Sequence, residues 1–423
     1  MRIVHLSTYD NKGGAALAAY RLHKRLQRAG HDSSMFVAER RSQDLSVVAF
    51  QPTQALFGRI QRRLSRRSIE SDAAAYRNTR PSGVELFSDD RSKFGDDLVA
   101  QLPACDVVNL HWVADFVDYT TFFPAVAPKT PIVWRLADMV ALTGGCHYDE
   151  ECARFLAQCG ACPQLGSTKD GDLSRAVWMR KRDAFARTPA HRLHIVALCR
   201  WMHDLVKRSP LLSRFPSSLI PNGVDLEAFS PRDRGFARQV LGIPQQAKVV
   251  MFVSEIVSSR RKGFGLLLEA LAGEPVCPDV YLVSVGKEAP AVSASLPVLH
   301  MGYVDNDRWL SLIYSAADVF VIPSLQDNLP NTVLEAMACG TPVIGFGAGG
   351  ITDMVRPEET GLLVPPGDVV GLRAAIRRVL TEDSRRAAMR ERSRAVAESD
   401  YSRDLQVRRY VDLYQSLVAP TQS

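Results

Sequence analysis

Two carboxylates, Asp327 and Glu335, stand eight positions apart in SLQDNLPNTVLEAMACGTPVIGF. The first falls in a polar loop after the apolar run DVFVIPS, the second inside the amphipathic stretch TVLEAMACG. A carboxylate on the lip of such a loop can accept hydrogen bonds from sugar hydroxyls, and one about two helical turns further on can grip a ribose diol. Between them, the amides of Asn328, Leu329, Asn331 and Thr332 lie near a helix N-terminus, which suits phosphate or hydroxyl oxygens. A capping acid and a surface glutamate would account for the same pair without a ligand.

A second candidate is the loop SSRRKGFG, where Arg260, Arg261 and Lys262 precede Gly263 and Gly265 between a strand and a helix. Cations at a strand's carboxyl end fit a pyrophosphate better than a merely solvated charge run. The ordered G-x-x-x-x-G-K-[ST] of a Walker loop is absent. In STYDNKGGAA, Gly13 and Gly14 permit close backbone approach at the start of a helix, for a phosphate or sugar oxygen or simply for a tight turn. Glu39 stands where a ribose-binding acid of a dinucleotide site would, but G-x-G-x-x-G is missing, which argues against that site.

Four cysteines, Cys146, Cys152, Cys159 and Cys162, crowd into GGCHYDEECARFLAQCGACP. Only Cys159 and Cys162 have CxxC spacing, so a structural zinc site and reduced, packed thiols both remain open. No catalytic metal is required by these motifs.

Elements that must position these groups alternate along the chain. MRIVHLS reads as a strand, GGAALAAYRLHKRLQRAG as a helix closed by Gly30, and CDVVNLHWV, TPIVWRLAD and RLHIVALC as further buried strands. Pro221, Asn222, Gly223 and Pro231 then break the pattern, which restarts at AKVVMFVSE. With 423 residues, 46% of them hydrophobic, the chain can bury two cores. The expected architecture is α/β, with two doubly wound Rossmann-like domains over residues 1–225 and 226–398 and a C-terminal helix over 399–423 packing back across them.

One region departs from the alternation. Around residues 52–70, Leu56, Phe57, Ile60 and Leu64 share a helical face beside Arg59, Arg62, Arg63 and Arg66. Such a helix either lies in an anionic membrane interface or packs its apolar face on the domain. No apolar run reaches the roughly 18 residues that span a bilayer, and MRIVHLSTYD opens as a strand. Those features predict a cytoplasmic protein, peripheral on the inner membrane face, and none of the motifs is one for nucleic acid.

Taken together, IPNGVDLEAFSP, RRKG and DNLPNTVLEAMACGTPVIGFGAGG resemble the hallmark segments of family 4 glycosyltransferases, retaining sugar-nucleotide enzymes of the GT-B fold. GGAALAAYRLHKRL and NLHWV extend the resemblance into the first domain, and the cysteine segment is most similar to exopolysaccharide transferases of colanic-acid type. The resemblance implies two domains facing across a deep cleft and a UDP- or GDP-sugar donor. It also implies a glycan or polyprenyl-diphosphate-linked acceptor and no cofactor for catalysis.

By the same resemblance Asp327 contacts the donor sugar, Glu335 binds the ribose, and Lys262 with an arginine neutralises the diphosphate. That arginine's usual position holds Ser254 and Glu255, so Arg261 or Arg260 must substitute. His111 corresponds to a histidine near the reacting sugar, and Gly13 and Gly14 to the loop facing donor and acceptor. Relatives carry His-Asp where this chain has Ala137 and Asp138, which leaves Asp138 on the acceptor side without its usual neighbour, and Asp327 replaces a more common Glu. Those departures keep two alternatives open: a catalytically impaired sugar-nucleotide-binding partner, or a sugar-nucleotide epimerase of the same fold.

Overall fold

A computed structural model describes residues 1–272, 276–289 and 296–419. The first sheet is built from β1 (Arg2–Tyr9), β2 (Asp32–Glu39), β3 (Val47–Ala49), β4 (Val107–Leu110), β5 (Ile132–Arg135), β6 (Leu193–Ala197) and β7 (Ser217–Leu219). Its order is β3-β2-β1-β4-β5-β6-β7, all neighbours parallel. The second comprises β8 (Lys248–Val253), β9 (Val280–Val285), β10 (Val298–His300), β11 (Val319–Ile322), β12 (Val343–Phe346) and β13 (Gly361–Val364). Its order is β10-β9-β8-β11-β12-β13, again parallel throughout.

Both sheets are therefore doubly wound Rossmann-like arrays. Central strands are buried along their whole length, as VVNL of β4 and VFVI of β11 show, because helices cover both faces of a parallel sheet. In each sheet the chain reverses direction at one seam, β1 beside β4 and β8 beside β11, and ligands of such sheets bind outside the carboxyl ends of the strands at that seam. The loops after β8 and β11 carry Arg260 to Lys262 and Asp327.

The chain divides into one unit of Met1–Ile220 with Val407–Ser423, and a second of Pro221–Gln406. The division falls five residues ahead of 225, because Val224 already bridges Ser402 and the Asp225 carboxylate pairs with Arg403 inside the second unit. Gly223 allows that approach: a Cβ there would lie 2.6 Å from the Cα of Arg403. The last helix, Arg403–Val418, begins in the second unit and ends in the first. There Tyr410 and Tyr414 are fully buried with Ile3, Leu22, Val107 and Val133, and the Tyr414 hydroxyl accepts from Asn109 Nδ2 at 2.5 Å. The second unit is pinned around Asp318, whose carboxylate takes Arg234, Arg238 and the backbone N–H of Val249 at 2.7 to 2.8 Å.

Candidate functional site

The turn Arg260–Lys262 closes the loop after β8, and Gly263 ends it with a left-handed φ of 72°. A Cβ on Gly263 would fall 1.8 Å from the carbonyl oxygen of Pro323, so glycine is what lets this turn lie against the loop after β11. The two loops are then stitched by Leu325 N–H donating to Arg261 O at 2.8 Å, and by the Arg261 guanidinium donating to Gln326 O at 2.8 Å. A third loop holds Asp327 from the other side. Gly349 has a φ of 55°, a Cβ on it would lie 1.9 Å from Asp327 O, and the next amide, Gly350 N–H, donates to that oxygen at 3.0 Å. This is the physical content of the GFGAGG run.

Three loops thus meet at one residue, Asp327. Asp327 is 5% exposed, with Lys262 Nζ at 2.6 Å and the Arg261 guanidinium at 3.6 Å from the same oxygen. Its other oxygen accepts the N–H of Asn328 at 3.1 Å. Burial pushes the Asp327 carboxyl up, but the charges of Lys262 and Arg261 with the bonds from Lys262 and Asn328 outweigh it and hold the carboxyl below its usual range. Of the two arginines left open by the sequence, Arg261 faces the carboxylate while Arg260 is exposed. Ser254 bonds back to Ile256 O at 2.8 Å and Glu255 pairs with Lys287, so the position where an arginine was implied faces elsewhere.

Asn331 opens the helix Asn331–Ala338, and its side-chain oxygen accepts from Asn222 Nδ2 at 2.9 Å, which joins the IPNG segment to this helix. Glu335, one turn on, is 6% exposed rather than on a surface face, with the Tyr314 hydroxyl 3.3 Å from Oε2. Asn328 and Leu329 are buried and Thr332 is partly so. Asp327, Lys262, Arg261, Asn328 and Glu335 therefore belong to one unit and one set of carboxyl-end loops.

In the first unit Gly13, with a φ of 77°, and Gly14 open α1 (Gly13–Arg28) directly after β1. At the neighbouring strand end the His111 ring is 2% exposed: its Nε2 lies 2.9 Å from His5 Nδ1, and its Nδ1 has no hydrogen-bond partner among the described residues. Burial first, then its neighbours His5 and Arg135, hold His111 well below the usual histidine range. His111 is therefore a neutral imidazole at pH 7, withdrawn from solvent.

Asp138 follows β5 and is not without a histidine. His147 Nδ1 lies 2.6 Å from its Oδ2, Trp112 Nε1–H donates to the same oxygen at 3.1 Å, and Val140 N–H donates to Oδ1 at 2.9 Å. The far nitrogen of His147 meets Ser88 Oγ at 2.8 Å. Asp138 thus has a histidine partner nine residues on, inside GGCHYDEE, that the sequence alone did not single out. Its position beside four cysteines was the one signal available.

Those cysteines are not gathered as a ligand set. Among the described residues no three or more His, Cys, Asp or Glu side chains are grouped to hold a metal ion. The Cys159 sulfur accepts Gly144 N–H at 3.1 Å, and Cys162 packs with Leu165, Leu173 and Val177. Burial pushes the Cys159 thiol up to about 12 and the Cys146 thiol well above its ordinary value, so without a metal both are neutral thiols at pH 7. The zinc expectation finds no ligand set here, and no step below uses one.

The buried histidines set a pH dependence. Burial lowers His23 and His194 to about 4 and His5 and His111 well below 6.5. Each binds fewer protons folded than unfolded, so its stability contribution is complete above about 6.5 and lost as pH falls, at about 1.4 kcal/mol per unit for each group. Asp90, pushed up to about 6 by burial against the pull of Arg180, acts in the opposite sense, as does Asp115. Four groups outweigh two, and Tm is expected to fall steadily from pH 7 to about 5 in a melting series. A flat profile would contradict the neutral assignment.

Residues 247–382 match the family described as Glycosyl transferases group 1. The D-inositol 3-phosphate glycosyltransferase of Geodermatophilus obscurus is 39% identical over 181 residues, 38% of this chain and 40% of the relative. The lipopolysaccharide core biosynthesis glycosyltransferase LpsE of Rhizobium meliloti is 34% identical over 188 residues, 42% of this chain and 53% of the relative. The matched stretch thus spans about two fifths to a half of these curated relatives. Among solved structures, sucrose-phosphate synthase of Thermosynechococcus elongatus covers 100% of both chains at TM-score 0.65 and 19% identity. HepE of Anabaena, solved with UDP-glucose, covers 98% of this chain and 100% of its own at TM-score 0.65 and 16% identity. These likenesses establish the fold, that of GT-B proteins. The curated names point to inositol phosphate and lipopolysaccharide core rather than to colanic acid, so the exopolysaccharide assignment does not follow from them.

Proposed function

We propose that the protein is a retaining glycosyltransferase that moves a sugar from a nucleoside-diphosphate sugar to a hydroxyl of a glycan acceptor. The observation that carries this reading is the buried Asp327 carboxylate paired with Lys262 and Arg261 at the seam between β8 and β11. An incoming diphosphate offers the two cations a doubly charged partner, and the sugar's hydroxyls offer the freed carboxylate its hydrogen bonds. Glu335, one turn inside the adjoining helix, takes the ribose diol, with Asn328, Leu329, Asn331 and Thr332 lining the path between. The match of residues 247–382 to group 1 transferases and the UDP-glucose bound by HepE support this class of donor.

In the reaction the bond from the anomeric carbon to the diphosphate breaks and the bond to the acceptor oxygen forms on the same face. The acceptor's proton passes to the departing phosphate oxygen, and Lys262 with Arg261 stabilises the leaving charge electrostatically. Gly13, Gly14, Asp138 and His111 are assigned to the acceptor and the transferred sugar. His111, neutral and buried, orients by hydrogen bonding rather than by charge. The acceptor we favour is a lipid-linked oligosaccharide of polysaccharide assembly at the cytoplasmic membrane face, a class to which lipopolysaccharide core, the product named for LpsE, is chemically close.

A panel of UDP-, GDP- and ADP-sugars, with and without membrane lipid extract, tests the reading. Nucleotide release that depends on extract supports transfer. Release without it turns the assignment to an epimerase, and binding without release to a non-catalytic partner.

A further inference from the structure

The helix α2 (Leu56–Ala74) lies four residues further along than the insertion of about 52–70 read from the sequence, and none of its residues is buried. Its partly covered positions are Gly58, Arg62, Ser65 and Ile69, a stripe spaced at helical intervals. That stripe seats the helix on its own unit: Arg62 donates to Thr53 O at 2.6 Å and lies 3.5 Å from Asp97, while Arg91 reaches Asp72 at 2.7 Å. The packing alternative for the apolar face is therefore overturned. Leu56, Phe57, Ile60 and Leu64 are 72%, 79%, 50% and 61% exposed. At about 100° per residue their mean direction lies roughly 160° round the helix from the seated stripe, so they point away from the body. Leaving this much apolar surface in water forgoes on the order of 1 to 2 kcal/mol per side chain, which a folded surface rarely does without a partner.

Charge selects the partner. The helix carries Arg59, Arg62, Arg63, Arg66 and Arg67 against Glu70 and Asp72, both acids lying at its end. Arg62 is spent on the body and Arg66 on Glu70, whereas Arg59, Arg63 and Arg67 have no ion-pair partner among the described residues. Those three flank or interleave with the outward apolar face. An apolar stripe bordered by unpaired arginines complements the boundary between anionic headgroups and acyl chains, where the stripe sinks a few ångströms and the guanidinium groups stay at the phosphate level. A polypeptide partner would match the apolar stripe but would need its own acids in register. Among the described residues no helix is long and apolar enough to cross a membrane, so contact through α2 is contact in the plane of the surface.

We infer that α2 is a membrane-docking element that seats this protein on an anionic bilayer. The inference stands apart from the transfer reading, because it is measured with no sugar nucleotide or acceptor present. Cosedimentation of the full chain with phosphatidylcholine vesicles, with and without phosphatidylglycerol, tests it. The chain is expected to partition onto the anionic vesicles, weakly onto neutral ones, and less as salt rises. Arg59→Gln/Arg63→Gln/Arg67→Gln is expected to lower the partition on the order of a hundredfold, about fivefold per arginine, and Phe57→Ser/Ile60→Ser to lower it at least tenfold. All five residues are exposed, and an unchanged Tm shows that the variants remain folded. Failure of the unaltered chain to bind anionic vesicles, or binding unchanged in both variants, overturns the inference. A dimer in solution that Phe57→Ser/Ile60→Ser dissolves reassigns the face to a second copy and overturns it too.

Discussion

Glu335→Gln is expected to weaken binding of the nucleotide donor roughly ten- to a hundredfold by calorimetry, with little change in Tm. The carboxylate is buried, one turn inside the helix Asn331–Ala338, and Oε2 accepts from the Tyr314 hydroxyl at 3.3 Å. An ionised carboxylate offers about four acceptor sites, two of which a ribose diol takes in the proposed reading. Hydrogen bonds to a charged acceptor are worth about 1.5 to 3 kcal/mol more than none, which sets the size of the loss. Glutamine keeps the shape and leaves an oxygen for Tyr314, which is why stability is preserved. The effect should appear equally with a nucleoside diphosphate alone, since the sugar is not what Glu335 holds. Unchanged affinity for the diphosphate would remove the ribose role.

Lys262→Met is expected to act on stability and turnover together. Without donor it removes the cation 2.6 Å from a carboxylate that is 5% exposed, with the Arg261 guanidinium 3.6 Å from the same oxygen, and breaking a buried pair from one side costs about 3 to 5 kcal/mol. In the reaction it removes one of two cations facing the leaving diphosphate, a loss of about 10² to 10³ in kcat by analogy with other preorganised charge-stabilising groups. A double variant separates the two effects. Lys262→Met/Asp327→Asn deletes both charges, so it should recover most of the lost Tm while turnover stays low. Activity that returns with stability would show Lys262 to be structural only. Arg260→Gln serves as the contrast: its side chain is exposed and off the carboxylate, and turnover should change little.

Much of this site could be read before the structure, and the reasons are local. Strand and helix periods place DVFVIPS, the loop carrying Asp327 and the following helix without ambiguity, because buried parallel strands and amphipathic helices write different spacings. The glycines of GFGAGG and RRKG are legible as places of close approach, but the sequence does not say what approaches. Only the fold reveals that Gly349 lies under Asp327 and Gly263 against Pro323. Choosing between Arg260 and Arg261 required the turn's geometry, since adjacent residues on a single turn point to different sides. His147 escaped notice because its partner, Asp138, lies nine residues back across a loop of irregular backbone, where no period relates position to direction. For α2 the pattern was visible, but which face would be covered depended on Arg62 and Arg91 finding Thr53, Asp97 and Asp72 in other segments.

Asp327 offsets one of the two positive charges that Lys262 and Arg261 bring to it. In the proposed reading, donor binding gives the two cations the diphosphate as ionic partner and gives the carboxylate the sugar hydroxyls as hydrogen-bond donors. The resemblance places a longer glutamate more commonly at this position, and in the proposed reading Asp327, one methylene shorter, is the residue through which a change of donor sugar would first be felt.

Transfer itself is tested most directly by mass spectrometry of a lipid-linked acceptor incubated with the protein and a panel of UDP- and GDP-sugars, beside Glu335→Gln. The account predicts an acceptor heavier by one glycosyl residue with one equivalent of nucleoside diphosphate released, and a much reduced yield in the variant at limiting donor. Release of nucleotide with no gain in acceptor mass, or a product formed equally well by Glu335→Gln at limiting donor, would contradict it.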